Sequence, residues 1–96
     1  MSFKTISDVR RANKAAGHHF FDRDTMRFFS SRVVSSLYAG RFFVTAETGP
    51  GQAWPRFSVR EALASGVIET RGEFQAHRFI EDAREAARNL AREVRK

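Results

Sequence analysis

The sequence contains no cysteine, only two prolines and no long apolar run. Without cysteine there is no disulfide framework and no thiolate for metal binding or nucleophilic attack, so an oxidising extracellular environment is not favoured. The longest apolar stretches, such as Phe42 to Val44, are far shorter than the roughly 18 residues that a membrane span needs, and the first residues lack the apolar core of a signal peptide. We therefore expect a cytoplasmic protein.

The 96 residues are 42% apolar and 29% charged. These proportions are typical of a soluble globular domain, and the length suits one domain rather than two. We therefore predict a single domain over residues 1–96.

The net charge of +6 is unevenly distributed. Residues 1–45 carry eight Lys/Arg against three Asp/Glu, whereas residues 46–96 carry nine against eight. Arginine outnumbers lysine fourteen to three, and the planar guanidinium group suits bidentate binding of phosphate or carboxylate. Two interpretations stay open: an arginine-rich coding bias, or an anionic binding partner.

Helical patterns begin and end the chain. Thr5 and Asp8 resemble a capping box, which predicts a first helix over about 6–16 that stops at Gly17. Asp22 can cap a second helix over about 23–31. Over the last 17 or so residues, an apolar stripe predicts an amphipathic helix that packs on a sheet. The stripe consists of Phe79, Ala83, Ala86/Ala87, Leu90 and Val94.

Between these helices, apolar residues recur at every second position, which is typical of strands. The pattern predicts a hairpin of 33–38 with 41–47 around Ala39-Gly40, a third strand over 56–62, a turn at Ser65-Gly66 and a fourth strand over 67–77 interrupted near Arg71-Gly72. Both prolines lie in the loop from 48 to 55. The fold class is therefore predicted as α+β: two N-terminal helices, a four-stranded antiparallel β-meander, and the C-terminal helix on the sheet.

No catalytic motif, metal-ligand spacing or phosphate-binding glycine loop is present. His18 and His19 are adjacent and therefore point in different directions, which is unfavourable for shared metal binding. Gly49-Pro50-Gly51 contains a proline that removes a backbone donor. We expect no enzyme activity, no metal site and no cofactor, and a function based on binding.

The ten phenylalanines suggest where a partner could bind. Strand alternation predicts one sheet face towards the C-terminal helix, made by Phe42, Val44, Phe57, Val59 and Phe74. The same alternation sends Phe43 to the other face among arginines, where an exposed ring could stack on a base or anchor a protein. Alternatively, the N-terminal helices cover this face and Phe43 belongs to the core. The candidate partner-binding residues are Arg10, Arg11, Lys14, Arg23, Arg27, Arg41, Phe43, Arg56 and Arg60.

Five segments carry a resemblance to a known family: NKAAGHHFF (13–21), DTMRFFSSR (24–32), GRFFVT (40–45), FSVR (57–60) and GEFQ (72–75). With them the chain resembles a short domain family of unknown function that is encoded mostly by bacteriophages, plasmids and their bacterial hosts. The family's usual proline at the start of the second helix is Arg23 here, and its tyrosine in the second strand is Phe42. The resemblance supplies no catalytic residues, so it implies a biological setting and not a mechanism.

Small domains of mobile elements often act by occupying a surface of a host machine. The leading hypothesis is therefore a non-enzymatic interaction protein that inhibits a bacterial defence or nucleic-acid-processing complex, an anti-CRISPR-like role. The alternative is a small basic module that binds nucleic acid without strong sequence preference. Both hypotheses predict an anionic macromolecular partner, either a nucleoprotein complex or nucleic acid itself, and neither requires a membrane or a small-molecule substrate.

Overall fold

The computed structural model describes residues 3–94 and has the predicted α+β fold. Its elements in chain order are α1 (Ile6–Ala15), α2 (Arg23–Phe28), β1 (Arg32–Val33), β2 (Phe42–Glu47), β3 (Arg56–Ala62), β4 (Ile68–Arg71) and α3 (Ile80–Val94). The strands form an antiparallel sheet in the order β1-β2-β3-β4, and α3 packs on one of its faces. The predicted meander and C-terminal helix are both confirmed.

Helix α1 begins and ends as the sequence predicts. The Oγ1 of Thr5 accepts a hydrogen bond from the backbone N–H of Asp8 at 3.2 Å, which satisfies one free donor of the first turn. At the other end, Gly17 has a φ of +83°, a left-handed conformation that favours glycine and stops the helix.

Helix α2 is shorter than predicted. Asp22 occupies the N-cap position, but its carboxylate makes no capping hydrogen bond and instead lies 2.6 Å from Nδ1 of His19. The helix ends at Phe28 rather than near residue 31, because Ser30 adopts a left-handed φ of +48°.

The first predicted strand forms only in part. Arg32 and Val33 pair with β2, and the Oγ of Ser35 then accepts the backbone N–H of Val44 at 2.8 Å, in place of a main-chain partner. Tyr38 rejoins the sheet through an isolated bridge to Phe42. Residues 39 and 40 both have positive φ and form the predicted turn between them.

The predicted last strand ends at Arg71, six residues early. Gly72 and Gln75 have left-handed φ values of +77° and +57°, so the chain turns and side-chain alternation is lost. Phe74 consequently lies 5.4 Å from the guanidinium carbon of Arg60, on the face away from α3. The prediction that Phe74 faces α3 is therefore wrong, and His77 lines a cleft beside α3 instead.

Alanines make the contact between α3 and the sheet. Ala83, Ala87 and Ala91 are buried against a sheet surface formed by Phe42, Val44 and Val59, with Leu90 partly buried beside them. Small side chains let the helix backbone approach the sheet closely. Two residues of the predicted helical stripe are exposed: Phe79 by 64%, because it precedes the helix, and Val94 by 44%, in its last turn.

The opposite sheet face is covered by the N-terminal part of the chain. Val9 of α1 is fully buried with Phe43 and Ala62, and Phe20 and Phe21 pack against them from the segment that follows α1. The turn at Gly66 is joined to α1 because Nδ2 of Asn13 donates to its carbonyl oxygen at 2.8 Å.

Candidate partner-binding surface

Phe43 lies in the core and not on an open sheet face. Its side chain has no exposed surface, and the ring centroids of Phe20 and Phe21 lie 6.4 and 6.2 Å from its own. The prediction that Phe43 is exposed on an open sheet face is therefore wrong. The alternative that the N-terminal helices cover this face holds for the first helix, because the cover consists of α1 and the segment that follows it. Sequence alternation identified the face but could not show what covers it.

Arg60 is also internal, with 8% of its surface exposed. Its Nε donates to Oγ1 of Thr45 at 3.0 Å, and its Nη2 lies 3.3 Å from Oε2 of Glu47. The rings of Phe20 and Phe74 lie 5.2 and 5.4 Å from its guanidinium carbon. Burial lowers the pKa of Arg60, and the Glu47 carboxylate acts in the opposite direction. Arg60 therefore holds buried groups of the fold together and offers little surface for a partner.

Two other predicted partner-binding cations have acidic partners within the domain. Arg41 lies 2.5 Å from Oε2 of Glu61, a fully buried carboxylate that Arg71 also contacts. Arg11 pairs with Asp8, one turn earlier on α1. Lys14 is exposed in the last turn of α1.

Three predicted residues come together in one groove. Arg10 of α1 lines it together with Arg23 and Arg27 of α2, which are four residues apart and so share a helix face. The groove has a volume of about 620 Å³. We call it the arginine groove, and it is lined by Arg10, Phe21, Arg23, Met26, Arg27, Ser30, Ser31 and Arg32.

The arginine groove concentrates positive charge. Within residues 3–94, none of its four arginines forms a salt bridge, and no carboxylate is among the lining residues. Of the two acids next to Arg23 in the sequence, Asp22 is bound to His19, and Asp24, in the first turn of α2, lies outside the lining set. The fourth arginine, Arg32, was missed by the sequence analysis because nothing in its strand pattern relates it to the two helices.

Arg56 belongs to a different surface. Its Nε donates to the carbonyl oxygen of Gln75 at 3.0 Å, and its side chain lines a second groove of about 640 Å³. We call this the aromatic groove, and it is lined by Gln52, Ala53, Trp54, Pro55, Arg56, Phe57, Arg78 and Phe79. Trp54 and Phe79 are 80% and 64% exposed. Trp54, Arg78 and Phe79 were not among the predicted partner-binding residues, although a lone tryptophan in a loop was a usable signal.

The part of the chain that the structure describes contains no group of three or more His, Asp or Glu side chains arranged to hold a metal ion. Over the same residues, no helix is both long and apolar enough to cross a membrane.

The fold and these two grooves define a small α+β domain with a basic surface beside its N-terminal helices. The chain belongs to a protein family described only as a family of unknown function (DUF7447), whose model matches residues 5–88. The expected membership of a short family of unknown function is thereby confirmed. No curated protein and no solved structure gives a significant match.

Proposed function

We propose that this protein is a non-catalytic binding domain whose arginine groove binds nucleic acid through its phosphates. The observation that carries the proposal is the set of four arginines around one groove with no salt bridge and no lining carboxylate in residues 3–94. Elsewhere in the same part of the chain, five other arginines are paired with acids: Arg11, Arg41, Arg60, Arg71 and Arg84.

The groove chemistry favours phosphate over a single carboxylate. Several guanidinium groups at one site suit a ligand with repeated negative charges, such as a nucleic acid backbone. Ser30 and Ser31 add hydroxyl donors of the kind that often contact phosphate oxygens. Because phosphate contacts carry no base information, we expect binding with little sequence preference.

The resemblance to domains encoded by bacteriophages and plasmids supports a setting in a mobile genetic element. In that setting, we propose that the bound nucleic acid is the guide RNA or target DNA of a host defence or processing complex. Binding there would inhibit the complex, as an anti-CRISPR protein does. The bacterial cytoplasm is the corresponding location.

Charge reversal in the arginine groove tests the proposal. The double variant Arg23→Glu and Arg27→Glu should slow association with a labelled oligonucleotide by about tenfold or more, because long-range attraction steers encounter. Its thermal stability should change little, since both side chains are exposed and unpaired within the described residues. The measurement is stopped-flow fluorescence anisotropy at low salt.

The matched control is Arg88→Glu with Arg92→Glu, which makes the same change in net charge on α3, outside the groove. If both double variants slow association equally, the effect comes from net charge alone and the groove is not the site. Unchanged association of the Arg23 and Arg27 variant would refute the proposal outright.

A further inference from the structure

We infer that the aromatic groove is a base-stacking site for single-stranded nucleic acid, with Trp54 and Phe79 as the stacking rings and Arg56 and Arg78 as phosphate contacts. This inference rests on the proposed nucleic-acid binding and extends it. It assigns a second contact region and specifies single strands, whose unpaired bases offer free ring faces, in preference to duplexes.

The exposure of the two rings is the first support. Trp54 is 80% exposed and Phe79 64%, and both line the same groove. Keeping large apolar rings in water costs free energy, so two exposed rings that line one groove indicate a contact site. The groove volume of about 640 Å³ lies in the range of small-ligand sites. It therefore suits one or two planar groups better than a folded surface.

The positive charge around the two rings favours an anionic ligand. Arg56 and Arg78 are the charged residues that line the groove, and no carboxylate lines it. Two acids lie nearby in the first turn of α3, where Glu81 is paired with Arg84 at 2.9 Å and Asp82 lies outside the lining set. Aromatic rings beside guanidinium groups match the alternating bases and phosphates of a single strand.

The loop that carries Trp54 is held in place. The side-chain amides of Gln52 and Gln75 pair at 3.0 and 3.2 Å, and Oε1 of Gln52 accepts the backbone N–H of Gly49 at 2.7 Å. Gln75 is fixed in turn, because its own N–H donates to Oγ of Ser58 at 2.8 Å. A ring presented by an ordered loop loses less entropy on binding than a ring on a mobile one.

The two grooves lie near the same end of the sheet. Arg32 of the arginine groove pairs with Ala46, and Ala46 pairs on its other side with Phe57 of the aromatic groove. The backbones of Arg32 and Phe57 are therefore about two strand spacings apart, roughly 10 Å. Phosphates recur about every 3.4 Å along one strand of DNA, so a few nucleotides span this distance.

Trp54 is the only tryptophan, so its fluorescence reports on this groove alone. The probe is an oligothymidylate of about 12 nucleotides, within the usual size range of single-strand sites. We expect the oligonucleotide to quench Trp54 emission. The quenching and the rise in the oligonucleotide's anisotropy should give the same binding curve. The Trp54→Ala variant loses the stacking of one base, so its affinity for the oligonucleotide should be about 5- to 150-fold lower. The Trp54→Phe variant keeps an aromatic ring and should retain most of the affinity.

The control variant is Val94→Ala, which removes an exposed apolar side chain at the other end of α3 and should leave affinity unchanged. Unchanged Trp54 emission at saturation, with Trp54→Ala binding within twofold of the wild type, would overturn the stacking inference and leave the arginine groove intact. Equal affinity for a duplex of the same sequence, without quenching, would overturn it too. If the wild type binds neither probe at low salt, the proposed function itself fails, and the inference fails with it.

If Trp54→Ala abolishes binding of an acidic host protein after nuclease treatment while oligothymidylate leaves the emission unchanged, the groove is a protein-docking site and the inference is wrong.

Discussion

Replacing Phe43 by alanine tests the arrangement of the second sheet face. The side chain is fully buried with Val9 and Ala62, and two phenylalanine rings contact it from the segment after α1. Truncating a fully buried phenylalanine removes its transfer energy and leaves a cavity, which typically costs about 3–5 kcal/mol. Phe28 gives a matched control, because the same change at 71% exposure should cost less than about 0.5 kcal/mol.

The assay is urea denaturation followed by far-ultraviolet circular dichroism, since the exposed Trp54 is a poor reporter of folding. A small domain has about 5–15 kcal/mol of total stability, so Phe43→Ala leaves a measurable native state in most of that range. If it does not fold, Phe43→Leu should still lower stability measurably while Phe28→Leu does not. Equal effects at the two positions would refute the covered sheet face and return Phe43 to the surface.

Two further changes test the packing of the helices. Leu90→Ala should lower the free energy of unfolding by about 1–2 kcal/mol. This is below the value of about 2–5 kcal/mol for a fully buried leucine, because Leu90 is only partly buried on the α3 face. A loss under about 0.5 kcal/mol in urea denaturation would show that Leu90 lies outside the core. Gly66→Ala should cost at least about 2 kcal/mol, since a Cβ there would lie 2.4 Å from the carbonyl oxygen of Ala12 and the φ is +95°. Gly51 is the control, because its φ of +80° is similar but an added Cβ would meet nothing within 4 Å. Gly51→Ala should therefore lower stability less than Gly66→Ala, and equal losses would contradict a clash at Gly66.

Most of the fold follows from local sequence patterns. Helices α1 and α3 and strands β2 and β3 were predicted because capping residues, apolar spacing and alternation all agree in those segments. The errors occur where one side chain or one backbone dihedral overrides the pattern. The Ser35 hydroxyl shortens β1, Ser30 ends α2, and the left-handed Gly72 turns the chain before Phe74, which then lies on the other face.

The candidate surface was predicted less completely, because acid partners were counted only among sequence neighbours. Arg41 pairs with Glu61 and Arg60 with Glu47, partners that only the folded sheet brings together. Of the predicted cations, Arg10, Arg23 and Arg27 line one groove because they lie on consecutive helices. The positions of Arg32 and Trp54 beside the grooves could not be predicted, because they depend on which loops and strands lie next to each other in the fold.

Salt dependence tests the central claim of phosphate binding in the arginine groove most directly. Affinity for a single-stranded oligonucleotide should fall with salt, and the four phosphate contacts of the arginine groove contribute about −3 to the slope of log K against log salt. The Arg23→Glu and Arg27→Glu variant loses two of these contacts, so its slope should be less steep by at least about 1.4, or binding should be lost. A wild-type slope near zero, or the same slope in wild type and variant, would contradict the account.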